Sequence, residues 1–301
     1  MANSSLPGAK FVDPVVLSRI GNLELIAKTV VDGLINGTHR APFYGASVDF
    51  AEHRGYVPGD DIRRLDWRVY ARTDKYYIKE FEADSNANFS VLLDVSKSMG
   101  FGGKISKLDY AKTLAACLAY LANAQRDRVG LITFDEAVIE HIPPSAKHLD
   151  VVLHTLDRAK ASKPGKLVEP LRKLAEHFGR RGIIVVISDF YAEPEEIFHA
   201  VGPIVHRGND VVLFHVLDPQ EIDFSFNEPS SFEDMESGDQ MPIVPSKLAA
   251  DYRALVQAHI ETLTKKAAQQ PVDYMLLNTS MPLDYALFRF LSMRQRLART
   301  R

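Results

Sequence analysis

Four apolar runs, each closing on polar side chains, constrain this chain most strongly. Phe89 to Leu93 climbs to Asp94, and Val129 to Phe134 to Asp135. Ile183 to Ile187 ends at Ser188-Asp189, and Val211 to Leu217 at Asp218-Pro219. A strand with one wet face alternates apolar and polar residues, whereas a strand buried on both faces reads as a nearly continuous apolar run. The segments between the runs carry apolar residues at helical spacing, such as Leu108, Ala111, Leu114, Ala115, Leu118 and Leu121 along residues 107–124. The pattern predicts an α/β fold with a doubly wound, mostly parallel sheet covered on both sides.

The alternation begins at residue 88, so residues 88–301 are expected to form one α/β domain and residues 1–87 an N-terminal α+β extension. In the extension, Asp13-Pro14 reads as a helix start. Val16, Ile20, Leu23, Ala27, Val30 and Leu34 give that helix one apolar face, and Gly37 ends it. We expect it to pack on two strands of the extension, near residues 48–54 and 76–83. Within the α/β part, residues 137–142 suit an antiparallel edge strand, and residues 272–278 suit a last strand before a C-terminal helix. Residues 219–245 interrupt the alternation with acidic residues and aromatics around a Ser237-Gly238 turn, which reads as an inserted β-hairpin.

Length and charge narrow the function classes. The 301 residues suffice for a full core, and a formal net charge of −3 does not point to a polyanionic partner such as nucleic acid. No apolar run approaches the roughly 18–20 residues that span a bilayer. The N-terminus lacks the basic-then-apolar layout of a secretory signal, and the single Cys117 excludes an intrachain disulfide. A cytoplasmic location is the resulting expectation.

The candidate site is the loop after the first apolar run, Asp94-Val95-Ser96-Lys97-Ser98, followed by Gly100, Gly102 and Gly103. One carboxylate and two hydroxyls on a tight turn offer the oxygen ligands that a hard cation such as Mg²⁺ takes. In an open parallel sheet, ligands gather beyond the carboxyl ends of the strands where strand order reverses. Asp189 closes a second apolar strand and is expected to approach the serine loop. A second unusual stretch runs from Tyr56 to Arg72, where Asp60, Asp61 and Asp66 interleave with Arg63, Arg64, Arg68 and Arg72 around the only tryptophan, Trp67. It reads either as a partner-docking surface or as an ion-pair network with Trp67 covered by arginines. Asp60 or Asp61 can cap a short helix there. No phosphate loop with a lysine, nucleophile elbow or HExxH spacing is present, and the histidines are scattered.

The Asp-x-Ser-x-Ser loop, the Gly130-Leu131-Ile132-Thr133-Phe134 strand and the Ile187-Ser188-Asp189 strand end resemble a von Willebrand factor A-type domain with its metal-ion-dependent adhesion site. The stretch Tyr56-x-Pro58-Gly59-Asp60-Asp61-x-Arg63-x-x-Asp66-Trp67, then Ala71-Arg72 and Lys79-Glu80-Phe81, is similar to one bacterial family of unknown function, numbered fifty-eight, which is associated with MoxR-type AAA+ ATPases. The resemblance implies a metal loop of Asp94, Ser96 and Ser98 with Asp189 as the second carboxylate. It also implies a protein-binding adaptor that works with such an ATPase on client proteins and is not an enzyme. A metal-assisted hydrolase is the alternative. The threonine usual in that family's third loop is missing from Lys163-Pro164-Gly165-Lys166-Leu167. Two readings stand: water or Ser162 completes the shell of a divalent cation, or Lys166 reaches Asp94 and the site is metal-free. Two unit charges about 4 Å apart attract by roughly 4 kcal/mol at an effective dielectric of 20, so the second is physically sensible.

Overall fold

The computed structural model describes residues 14–17, 22–37, 50–56, 65–81, 87–178, 181–226, 230–233, 240–243 and 245–300. In chain order the elements are α1 (Pro14–Leu17), α2 (Leu23–Gly37), β1 (Phe50–Gly55), α3 (Trp67–Thr73), β2 (Tyr77–Phe81), β3 (Asn88–Asp94) and α4 (Lys107–Ala124). β4 (Arg128–Phe134), β5 (Val138–Ser145), α5 (Leu149–Arg158), α6 (Val168–Ala175), β6 (Gly182–Ser188), α7 (Pro194–His206) and β7 (Asp210–Leu217) follow. The chain closes with α8 (Pro219–Asp223), β8 (Ser230–Glu233), β9 (Gln240–Ile243), α9 (Pro245–Ala268), β10 (Val272–Asn278) and α10 (Leu283–Thr300). They divide into two compact units, residues 1–37 with 87–301, and residues 38–86.

The larger unit is the expected α/β sheet. Six strands lie in the order β10-β7-β6-β3-β4-β5, parallel throughout except for β5 against β4. Side chains alternate between two buried faces. Phe89, Val91 and Leu93 of β3 join a core with α2, α4, α5 and α10, while Leu92 faces a second core with α6, α7 and α9. Burial on both faces explains why the strands read as unbroken apolar runs. Only β5, the antiparallel edge, is largely exposed, and Pro143 and Pro144 sit there, where missing donors are tolerated. A Cβ on Gly130 of β4 would come within 2.8 Å of the Ile142 carbonyl oxygen, so this close strand pairing requires glycine.

The N-terminal helix departs from expectation. Asn22 caps α2 by accepting a bond from the Leu25 N–H at 3.0 Å. Ile26, Ala27, Val30, Val31 and Leu34 are buried in the core shared with α4 and α10. The helix therefore belongs with the α/β unit and not with the extension, because its apolar stripe matches a sheet-covering helix layer.

The insertion after β7 is also corrected in detail. Its first residues, Pro219–Asp223, form a helix ahead of any strand. Asp218 caps α8 through the Gln220 N–H, and the Glu221 side chain accepts from the Asp218 N–H at 2.8 Å, a reciprocal capping box. The expected hairpin is present further on, with β8 and β9 antiparallel and Phe232 opposite Met241.

The smaller unit contains the two strands read from the sequence, and β1 and β2 pair antiparallel. Buried Asp66 caps α3, accepting from the Val69 N–H at 3.2 Å. Trp67 is 57% exposed, with its ring edge-on to Tyr70, and Tyr70 stacks on Tyr76 at 4.6 Å between centroids. A tryptophan this exposed does not fit the arginine-covered reading. Arg72 is exposed on the last turn of α3. Asp60, Asp61 and Arg63 lie outside the described residues.

Candidate functional site

Strand order decides where the site lies. From β3 the chain passes to β4 and β5 on one side, then returns through α6 to β6 on the other. The carboxyl ends of β3 and β6 therefore flank the switch point, and they carry Asp94 and Ser188-Asp189. The loop after β3 folds back at once. The Ser96 N–H donates to Asp94 Oδ1 at 2.9 Å, and Ser96 Oγ lies 3.1 Å from Ser98 Oγ. A single 3₁₀ turn over Lys97–Gly100 follows. The neighbouring loop supports it, since the Lys97 N–H donates to the Lys163 carbonyl at 2.7 Å.

Three residues read from the sequence thus come together as expected: Asp94, Ser96 and Ser98. Asp94 and Ser96 are buried and Ser98 is half-buried. The second oxygen of Asp94 accepts from Ser188 Oγ at 2.7 Å, and Ser188 Oγ in turn accepts from the Phe190 N–H at 3.0 Å. Burial pushes the Asp94 carboxyl up to about 7, and the charge of Asp189 adds to the shift, against the hydrogen bonds from Ser188 and Ser96. Asp94 is a desolvated acid that feels a second acid and, among the described residues, has no ion pair to offset it.

Asp189 reaches the same neighbourhood but is already engaged. Its Oδ2 receives the ammonium of Lys107 at 2.9 Å, and the same ammonium donates to Glu221 Oε1 at 2.7 Å. Lys107 is 0% exposed, and its Nζ lies 5.0 Å from the centroid of the Tyr191 ring. Burial alone would depress this lysine, yet the carboxylates of Asp189 and Glu221 hold it above its ordinary value. Burial also raises Glu221, against the pull of Lys107. A third strand end adds Asp218, whose Oδ2 accepts from the Gly103 N–H at 3.2 Å and from Thr279 Oγ1 at 3.0 Å, tying the glycine loop to the ends of β7 and β10.

Lys166 does not play the part considered for it. Its side chain is exposed, its backbone N–H donates to the Asp135 carbonyl at 3.2 Å, and among the described residues it makes no ion pair with Asp94. Ser162 is likewise exposed. The buried cation comes from Lys107, which sequence reading passed over. One signal was available. Lys107 follows the capping residue Ser106 and opens α4, and a cation at the positive end of a helix is unfavourable unless carboxylates meet it. Ser188, Asp218 and Glu221 were legible only as strand-end or loop residues.

The donor chemistry suits a hard divalent ion at Asp94, Ser96 and Ser98: oxygen ligands only, and a buried carboxylate with no ion pair among the described residues. Asp189 already shares its Oδ2 with the Lys107 ammonium, so it is not a free carboxylate. Among the described residues no group of three or more His, Cys, Asp and Glu side chains is placed to hold a metal, so any ion would rest largely on hydroxyls and water. His215 is buried in β7, with Nδ1 2.7 Å from the Tyr274 hydroxyl, and burial pushes it down to about 3. It is a neutral packing residue, as its apolar strand suggests. No helix among the described residues is long and apolar enough to cross a membrane.

The chain is similar to known proteins at low identity. Uncharacterised proteins of Mycobacterium bovis and Mycobacterium tuberculosis are 28% identical to the chain over 292 residues, which cover 94% of it and 91% of each relative. Among solved structures, the conserved hypothetical protein BatB from Bacteroides thetaiotaomicron is similar with a TM-score of 0.46 at 17% identity, covering 70% of this chain and 99% of that one. The SpRpn10 VWA domain is similar with a TM-score of 0.37 at 10% identity, covering 67% of this chain and 93% of that one. The DUF58 profile, described as a protein of unknown function, matches residues 52–262, and the chain belongs to that family.

Proposed function

We propose that the chain is a non-catalytic protein-binding module whose recognition centre is the Asp94–Ser96–Ser98 corner. The observation that carries this reading is the position of that corner at the sheet's switch point, with two hydroxyls beside a buried carboxylate that has no ion pair among the described residues. Asp94, Ser96 and Ser98 would hold a divalent cation such as Mg²⁺. When bound, the ion would supply a positive centre able to accept an acidic side chain from a partner. The chain's own residues do the remaining work. Ser188 and the Ser96 N–H orient the Asp94 carboxylate, and the Lys163 carbonyl fixes the serine loop.

The sequence resemblance supports a MoxR-type AAA+ ATPase as the partner, with the pair acting on client proteins in maturation or assembly. The test is co-purification of the full chain with such an ATPase from the same genome, with nucleotide, in Mg²⁺ or in EDTA. Mg²⁺-dependent association that Asp94→Asn removes is the expected result. Absence of association under every condition overturns the ATPase reading. Turnover of a phosphatase, esterase or peptidase substrate that Asp94→Asn abolishes overturns the non-catalytic one.

A further inference from the structure

We propose that Lys107 is a built-in counter-ion that withholds Asp189 from the cation corner and so limits that corner to one protein carboxylate. The inference rests on the cation reading above and assigns the residue that sets its strength. Two carboxylates from different strand ends, Asp189 after β6 and Glu221 after β7, converge on one fully buried ammonium at 2.9 and 2.7 Å. The Tyr191 ring lies 5.0 Å from it. Asp94, close enough to feel the charge of Asp189, has no share in this ion pair and accepts from the Ser96 N–H and Ser188 Oγ.

The buried charges therefore divide into two parts. Asp189 and Glu221 are served by a cation that cannot leave, and Asp94 is left to one that can exchange. A single anionic ligand leaves a divalent ion with net positive charge and modest affinity, because affinity for such ions rises with the number of charged ligands. Lys107 is a positioning residue: it touches neither ion nor partner and acts by holding Asp189. The same network reaches the glycine loop. Glu221 Oε2 accepts from the Asp218 N–H, and Asp218 Oδ2 accepts from the Gly103 N–H.

The test is Mn²⁺ binding, followed by calorimetry or electron paramagnetic resonance, to the wild-type chain, Lys107→Met, and Lys107→Met combined with Asp189→Asn. Freeing Asp189 should tighten Mn²⁺ by about tenfold or more, and the added Asp189→Asn should return the affinity to the wild-type level. A purely structural role for Lys107 predicts a lower melting temperature without tighter Mn²⁺ binding, and that result overturns the proposal. If Lys107→Met does not fold, Lys107→Gln with Glu221→Gln removes the ammonium and one carboxylate at unchanged net charge and should tighten Mn²⁺ equally. Silence in the wild type and every variant sinks the cation reading itself. Binding by the wild type that no Lys107 variant strengthens sinks only the role of Lys107.

Discussion

Asp94→Asn offers the sharpest test of the electrostatics at the switch point. The Asp94 carboxyl is raised from an ordinary 3.8 to about 7, so between those values the folded protein binds a proton that the unfolded chain has released. Stability must then fall as pH rises through this window. The full penalty is in place above pH 7 and absent below 3.8. At about 1.36 kcal/mol for each tenfold change the penalty is about 4 kcal/mol, of which about 3 kcal/mol develops between pH 4.5 and 8. Wild-type melts alone would hide it. His215, pushed down to about 3, makes stability rise with pH up to about 6.5 and so opposes the trend. The difference between Asp94→Asn and wild type isolates the Asp94 contribution, because lost or altered hydrogen bonds to Ser96 and Ser188 add an offset that does not vary with pH. Urea melts in EDTA across this range should show the difference moving by about 3 kcal/mol in favour of the variant. A difference constant to within about 0.5 kcal/mol would falsify the claim that Asp94 is a desolvated acid without an ion pair. In Mg²⁺ at a hundred times its dissociation constant, the wild type should gain about 2.7 kcal/mol near neutral pH and Asp94→Asn should gain little.

Three further outcomes test the packing around the site. Phe290→Ala should destabilise the α/β unit by about 3–5 kcal/mol in chemical melts, because the ring is buried and meets Phe89 edge-on at 6.1 Å; a loss below about 1 kcal/mol would detach α10 from the core. Asp66→Ala should remove the cap of α3 at about 1 kcal/mol, read by hydrogen exchange in residues 67–73, with exchange in β6 unchanged. Gly102→Ala should lower the melting temperature by the equivalent of about 1–3 kcal/mol, since the new Cβ would lie 2.7 Å from Ser106 Cα and against the Ile105 carbonyl; an unchanged melt would mean that the glycine loop yields freely.

Much of the fold was legible because its signal is local. Val185 and Val186 face opposite cores, yet both are buried, so the run reads apolar at every position and announces a covered strand without knowledge of its neighbours. The serine loop was legible for the same reason, as Asp94, Ser96 and Ser98 are chain neighbours that meet through one turn. The placement of α2 was not legible, because an apolar stripe states that a helix packs and not on what. The helix at Pro219–Asp223 was hidden among residues that also suit a strand until its capping box closed.

The sequence by itself determined the layered α/β architecture and a carboxylate with two hydroxyls at a strand end. Tertiary structure alone decided what surrounds that carboxylate. Ser188 reaches Asp94 across 94 residues, and Lys107 meets Asp189 across 82 and Glu221 across 114. Those meetings follow from β3 lying between β4 and β6, and strand order is set by how whole helices cover the sheet. Periodicity fixes which way a residue faces, but not which distant residue it faces.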